Sequence, residues 1–257
     1  MGTTLVSGDP EIVHFEVVRI PLYRPLLWAY RGWLDLRKHW GASLGYGALV
    51  VALGWTLLIF CATHPYFIAA AISGFLLVGP VIAAGLCEMS RRYSLGQAAS
   101  FDDSLEGFTR NSSGLFEFGA ILAGCAVLWF GISAVLLGSV FHIAAPDVRE
   151  SWYQGFFDSA NRSQVIAYMA VGGALATAVF TVSVVAVPLI IDRHASAGQA
   201  MRASAGAVIA NLPAMVLWSA LILILTFLGF APFLGGLLII APLLGHSTWH
   251  AYKDMIR

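Results

Sequence analysis

Two histidines, His246 and His250, stand four residues apart in "APLLGHSTWHAYKDMIR" at the end of the chain. On a helix that spacing puts both imidazoles on one face, where they could serve a metal ion or a haem. A structural zinc site needs four ligands and a catalytic one three, so the pair is incomplete by itself. His39, His194 or Asp192 could complete it only if the ends of several helices converge. The competing reading is an interfacial belt, in which His246 and His250, with Trp249 and Tyr252, mark the point where a membrane helix meets water.

Other constellations are thinner. The chain has no G-x-S-x-G, no H-E-x-x-H and no phosphate-cradling glycine loop, so no catalytic set is assigned and the expectation is a protein that is not an enzyme. Cys61, Cys87 and Cys125 lie singly in apolar runs and read as small core residues, and no cofactor is expected. Glu88, Arg91, Asn111, Asp192 and Asn211 all fall near helix ends on one side and form a candidate polar cluster. Glu117, about one turn into an apolar run, is the one carboxylate set within a span, which argues against proton- or sodium-coupled transport.

The elements that must position these residues follow from composition. A soluble domain carries about 25% charged residues. This chain carries 11%, is 59% hydrophobic and has a mean hydropathy of +0.80, which makes it an all-α integral membrane protein. Its 14 basic and 14 acidic residues balance, giving no reason to expect nucleic acid. Crossing about 30 Å of hydrocarbon takes about 20 apolar residues, and six segments qualify, at roughly 43–62, 65–87, 115–141, 164–191, 208–228 and 231–248. The second and sixth follow "THP" and "GFAP", so spans one and two, and spans five and six, are expected to form tight hairpins. The first forty residues lack the apolar core of a cleavable leader, so the first span is read as an uncleaved targeting signal.

With both termini cytoplasmic, Arg19, Arg24, Arg31, Arg37, Lys38, Arg91, Arg92, Arg110, Arg193, Arg202, Lys253 and Arg257 stay inside, and only Arg149 and Arg162 face out. Before each odd span lies a segment with a partly apolar face, expected to lie in the interface. In the first, Leu27, Tyr30 and Leu34 share one stripe, with Arg31, Asp35 and Lys38 on another. In the second, Phe101, Leu105 and Phe108 form the stripe, and Ser100 with Asp103 reads as a capping box. In the third, Met201, Ala205 and Val208 repeat the spacing more weakly. Pro80, Pro188 and Pro242 fall near the cytoplasmic ends of the even spans, where each is expected to bend the helix or release its last turns. "GQA" follows both the second and fourth spans. The expected architecture is a polar tail over 1–20 and one membrane domain over 21–257, built from three repeats of interfacial helix plus two-span hairpin.

The stretches "VPLIIDRHASAGQAMRASAGAVIANLPAMVLWSALI" and "APLLGHSTWHAYKDMI", with "WLDLRKHWGASLGYG", "HPYFIAAAISGFLLVGPVIAAGLCEMSRR" and "SFDDSLEGF", resemble a bacterial family of integral membrane proteins, domain of unknown function 2189, over roughly residues 20–257. That resemblance implies six spans, the bacterial inner membrane and no established activity. The functional expectation is an accessory, assembly or scaffolding component of a membrane complex. Its partners would be the lipid bilayer and other membrane subunits or further copies of the chain. A carrier for a lipid or apolar solute is the alternative, and a metal- or haem-binding membrane protein a further one. The segment between spans three and four, "HIAAPDVRESWYQGFFDSANRS", is the expected place for any specific external contact.

Overall fold

The computed structural model describes residues 15–38, 40–62, 68–140 and 162–257. His39, the turn joining the first two spans and residues 142–161, which hold nearly all of the segment assigned to external contact, lie outside the described residues. Helices follow in the order α1 (Arg24–Lys38), α2 (Trp40–Ala62), α3 (Ile68–Ser94), α4 (Phe101–Ser104), α5 (Glu106–Thr109) and α6 (Ser112–Val140). The second half continues with α7 (Arg162–Ser183), α8 (Ala186–Arg193), α9 (Ala197–Ala210), α10 (Leu212–Phe230) and α11 (Leu237–Met255). Among the described residues, four stretches are long and apolar enough to cross a membrane: Trp40–Phe60, Ser112–Ser133, Ile166–Arg193 and Leu212–Phe230. The segments expected at 65–87 and 231–248 fall on α3 and α11, whose last turns carry Glu88, Arg91 and Arg92 and His246, His250 and Lys253.

The bundle has an inside and an outside. Helices α3, α8 and α11 touch one another, while α2 packs on α3 and α11, α6 on α3 and α7, and α10 on α11 and α1. The end of the stretch 166–193 is buried continuously over residues 183–191, so the fourth predicted span runs into the centre and the outer helices keep apolar faces outward. At Gly245 the inner helices come close enough that a Cβ would collide with Leu86. The short helices lie across this bundle: α1 on α11, α4 and α5 on α3, and α9 on α7 and α8.

Local chemistry explains the breaks. Helix α7 stops at Ser183 and α8 starts at Ala186, because Pro188 has no N–H for the carbonyl four residues earlier and its ring crowds that group. The Ser204 hydroxyl fills the gap, donating to the Thr181 carbonyl at 2.8 Å with the Val185 N–H 3.5 Å from its oxygen. Pro80 and Pro242 lie within the uninterrupted helices α3 and α11. The turn joining α10 to α11 is a compact one in which Phe233 and Leu234 take left-handed φ values of 50° and 68°. The last helix therefore begins at Leu237, later than the sequence suggested. The Ser100–Asp103 capping box forms, with both of its hydrogen bonds, and an equivalent Ser196–Gln199 box opens α9.

Two expectations about faces change. On α1 the exposed stripe runs through Leu26, Tyr30 and Leu34, while Trp28, Gly32, Asp35 and Leu36 are buried, so Asp35 leaves the polar stripe expected with Arg31 and Lys38. Trp249, read as part of an interfacial belt, is a core residue, as are Trp28 and Trp218, which meet edge to face at 5.7 Å. Residues 16–18 pair antiparallel with the C-terminus, through Val18 N–H to the Met255 carbonyl at 2.9 Å and Arg257 N–H to the Glu16 carbonyl at 3.0 Å.

Candidate functional site

The end of the bundle that carries the charged residues also carries a buried chain of polar side chains. It starts from Gly32, which lets α1 lie against α11: a Cβ there would collide with the Ser247 hydroxyl and come within 2.9 Å of the Leu243 carbonyl. That approach brings Asp35 over the face of α11 bearing His246 and His250. The His250 Nε2 donates to Asp35 Oδ2 at 2.8 Å, and the Ser90 hydroxyl of α3 donates to the same oxygen at 2.8 Å. Ser90 also lies 2.8 Å from His246 Nδ1. Its single proton is already given to Asp35, so His246 carries its proton on Nδ1 and donates to Ser90. The Nε2 of His246 is then an acceptor, and the Ser43 hydroxyl of α2 donates to it at 3.0 Å.

The result is a directed chain, Ser43 to His246 to Ser90 to Asp35, with His250 closing on Asp35 from the other side. Ser43, Ser90 and His246 are essentially inaccessible and Asp35 is 5% exposed. Burial works to raise the Asp35 carboxyl. The hydrogen bond and charge of His250 and the hydrogen bond from Ser90 outweigh it and hold the group below its ordinary range. Chemically, a hydroxyl pointing into an imidazole that is oriented toward a carboxylate is an arrangement for holding or passing a proton.

A second cluster surrounds Glu88, which is fully buried. Arg91 grips it with two 2.7 Å bonds, Arg92 reaches it at 3.3 Å and Arg110 at 3.8 Å. Arg92 extends the network to Asp103 at 3.3 Å and Glu106 at 2.7 Å. The bond to Glu88 is the main reason the Arg91 guanidinium is raised further above its ordinary value. Asp192 accepts the Tyr252 hydroxyl at 2.7 Å, with Lys253 and Arg193 each 3.8 Å away. Burial first, then Asp192, pushes the Tyr252 hydroxyl up. Asp254 holds α1 through the Trp28 indole N–H at 2.8 Å, Arg24 at 3.3 Å and Arg31 at 3.6 Å.

The residues singled out in the sequence are thus distributed over several sites. Glu88 and Arg91 meet, and Asn111 donates to two carbonyls that flank Asp192 in the chain, Ile190 at 3.3 Å and Ala195 at 2.9 Å. Asn211 lies elsewhere, accepting the Ile20 N–H at 2.8 Å and donating to the Val18 carbonyl at 3.0 Å. His246 and His250 are engaged by serines and by Asp35, and His194 is an exposed left-handed residue at the end of α8. Among the described residues no group of three His, Cys, Asp or Glu is placed to hold a metal ion. Sequence reading missed Asp35, Ser43 and Ser90. A usable signal was the stripe Trp28, Gly32, Asp35 and Leu36, where a glycine beside a tryptophan marks a closely packed face that includes the carboxylate.

Residues 67–192 match the family model DUF2189, described as a predicted integral membrane protein. The match is shorter than the resemblance over roughly 20–257, and the C-terminal stretch "APLLGHSTWHAYKDMI" lies outside it. No curated protein matches, and no solved structure matches.

Proposed function

We propose, from the premise that residues 67–192 are a DUF2189 region of an integral membrane protein, that the chain is a non-enzymatic, six-span accessory, assembly or scaffolding component of a membrane complex. The observation that carries this reading is the outward face of α7. Ala170, Gly173, Ala174 and Thr177 are exposed on one side of that helix. Small residues at such spacing allow another membrane helix to approach closely, and association in lipid depends on that packing. The partner is a helix of another membrane subunit or of a second copy. Among the described residues, the buried polar groups from Ser43 to Asp35 are engaged in bonds between the protein's own helices.

Three repeats around a pseudo-threefold axis account for the arrangement of helices. The even members of each unit, α3, the α7–α8 pair and α11, meet at the centre through α3, α8 and α11, and each interfacial helix packs on the even member that precedes it around the ring. The bacterial inner membrane, with both termini cytoplasmic, suits the placement of twelve basic residues at the polar end. A carrier for a lipid or apolar solute is the second reading, favoured by the interruption of the fourth span at residues 184–185.

Extraction in mild detergent followed by mass spectrometry of proteins and lipids tests the proposal. A partner subunit or second copy at fixed stoichiometry, lost when Gly173 and Ala174 are replaced by leucine, is the expected result. A monomer that retains one tightly held lipid would favour the carrier. Reporter fusions after residues 62 and 145 should both report the periplasmic side.

A further inference from the structure

From Phe227 to Gly245 the chain carries no polar side chain, although this stretch contains the turn that joins α10 to α11. A turn that emerges into water is ordinarily built from polar residues along with glycine and proline. We propose that this turn does not emerge: the tip of the α10–α11 hairpin stays in the lipid leaflet opposite the charged end of the bundle, with Phe233 against the acyl chains.

The surface of the tip continues the outward face of α10. Leu223, Ile224, Phe227 and Leu228 are exposed along that helix, and Phe233, 80% exposed, carries the apolar face over the turn. The backbone of the turn also needs little from water. Ala231 donates to the Phe227 carbonyl at 3.1 Å, Leu234 to Phe230 at 3.3 Å, Gly235 to Pro232 at 2.9 Å, Leu237 to Leu234 at 2.9 Å and Leu238 to Gly235 at 3.2 Å. Pro232 has no N–H to satisfy. An unbonded backbone group is costly in hydrocarbon, so a turn that bonds most of its own donors suits that medium. Gly229 and Gly236 permit the closure, since a Cβ on Gly236 would come within 2.8 Å of the Gly229 Cα.

Length sets the depth. Helix α10 starts beside Asn211, which donates to the Val18 carbonyl, and the Val18 N–H is bonded in turn to the Met255 carbonyl. The helix therefore begins level with the end of α11 that carries Lys253 and Asp254. Its 19 residues rise about 28 Å at about 1.5 Å each, just short of about 30 Å of hydrocarbon. Any tilt shortens the reach further. Phenylalanine suits such a position, because its ring has no hydroxyl or N–H to hold at the headgroups as tyrosine and tryptophan do. The occupant of this surface is lipid acyl chain, and nothing in the placement depends on the scaffolding role; it requires only that the chain is embedded in a bilayer.

Photocrosslinking of the full chain in nanodiscs of phosphatidylethanolamine and phosphatidylglycerol tests the placement. With p-benzoylphenylalanine in place of Phe233, illumination should yield covalent adducts with lipid, as it should with the same group in place of Phe227, the reference on the outward face of α10. Adducts at position 233 with a second copy of the chain only overturn the proposal, and so does a lack of lipid adducts there. A thiol gives the second measurement. A membrane-impermeant maleimide should leave Phe233→Cys unlabelled beyond the wild-type background, whereas Gln97→Cys, in the exposed turn after α3, should be labelled. Comparable labelling of the two variants would put the tip in water and overturn the proposal.

Discussion

Asn111 and Asn211 do the same work at different places in the bundle. Each sits where a short interfacial helix passes into an outer span, and each uses its side-chain amide to hold backbone that leads into another interfacial helix. Asn111 donates to the Ala195 carbonyl just before α9, and Asn211 donates to the Val18 carbonyl ahead of α1. Each also uses its side-chain oxygen, Asn111 for the Gly114 N–H at 3.1 Å and Asn211 for the Ile20 N–H at 2.8 Å. One residue type thus satisfies donors and acceptors that a chain reversal leaves unpaired.

Replacing either asparagine with alanine should therefore destabilise the protein by about 1–3 kcal/mol, the usual cost of leaving buried polar groups without partners. The effect should be larger for Asn211, which is buried, than for the half-buried Asn111. Thermal unfolding in detergent, followed by a thiol-reactive or intrinsic fluorescence signal, measures it. Because Asn211 holds residues 18–20, Asn211→Ala should also make the segment near Val18 more sensitive to protease, and Asn111→Ala should not.

Asp35 predicts how stability depends on pH. Its folded-state carboxyl is held below its ordinary value of 3.8. A depressed carboxylate contributes stability that is present above the unfolded value and is lost as pH falls through the folded one. Wild-type stability should therefore decline as pH drops below about 4. In Asp35→Asn that decline should be shallower, on a protein already less stable at neutral pH. Equal slopes for the two proteins would show that the carboxylate is not coupled to folding.

The break in the fourth span gives a third prediction. The Ser204 hydroxyl on α9 supplies a donor to the Thr181 carbonyl at 2.8 Å and lies 3.5 Å from the Val185 N–H. Water cannot replace it in an apolar surrounding. Ser204→Ala should cost about 1–3 kcal/mol, while Ser204→Thr, which keeps the hydroxyl, should cost less. Unfolding midpoints of the two variants decide the matter, and equal losses would mean that the hydroxyl contributes volume and not a bond.

How far such features were legible in the sequence depended on their range. Proline at 188, the Ser100–Asp103 box and the apolar runs of the outer helices act through their own neighbours, and periodicity or spacing exposes them. The buried chain joins Asp35, Ser43, Ser90 and His246 from four helices. Its members look ordinary in sequence: serines near helix ends, and an aspartate between basic residues on an amphipathic helix. Only the angle at which α1 crosses α11 turns Asp35 inward. The spacing of His246 and His250 places them on one face, but what they contact comes from other helices.

Gly32 sets that crossing, and its replacement is the sharpest test of it. A Cβ at this position would collide with the Ser247 hydroxyl and approach the Leu243 carbonyl and the Ser247 nitrogen, each to 2.9 Å. Two of those three atoms belong to the backbone of α11, which cannot rotate away as a flexible side chain can. Gly32→Ala should lift α1 from α11 and weaken the bonds of Asp35 to His250 and Ser90, at a cost of about 1–3 kcal/mol typical of overpacking. Gly41→Ala is the control, because nothing lies within 4 Å of the position a Cβ would take there. Alanine at Gly41 should be neutral or slightly stabilising, since it favours helix over the unfolded chain. The two variants should also differ in spectroscopy: Gly32→Ala should shift the His250 imidazole signals, and Gly41→Ala should leave them in place. If Gly32→Ala is as stable as the wild type with unchanged histidine signals, the close approach of α1 to α11 is not what holds Asp35 over the two imidazoles.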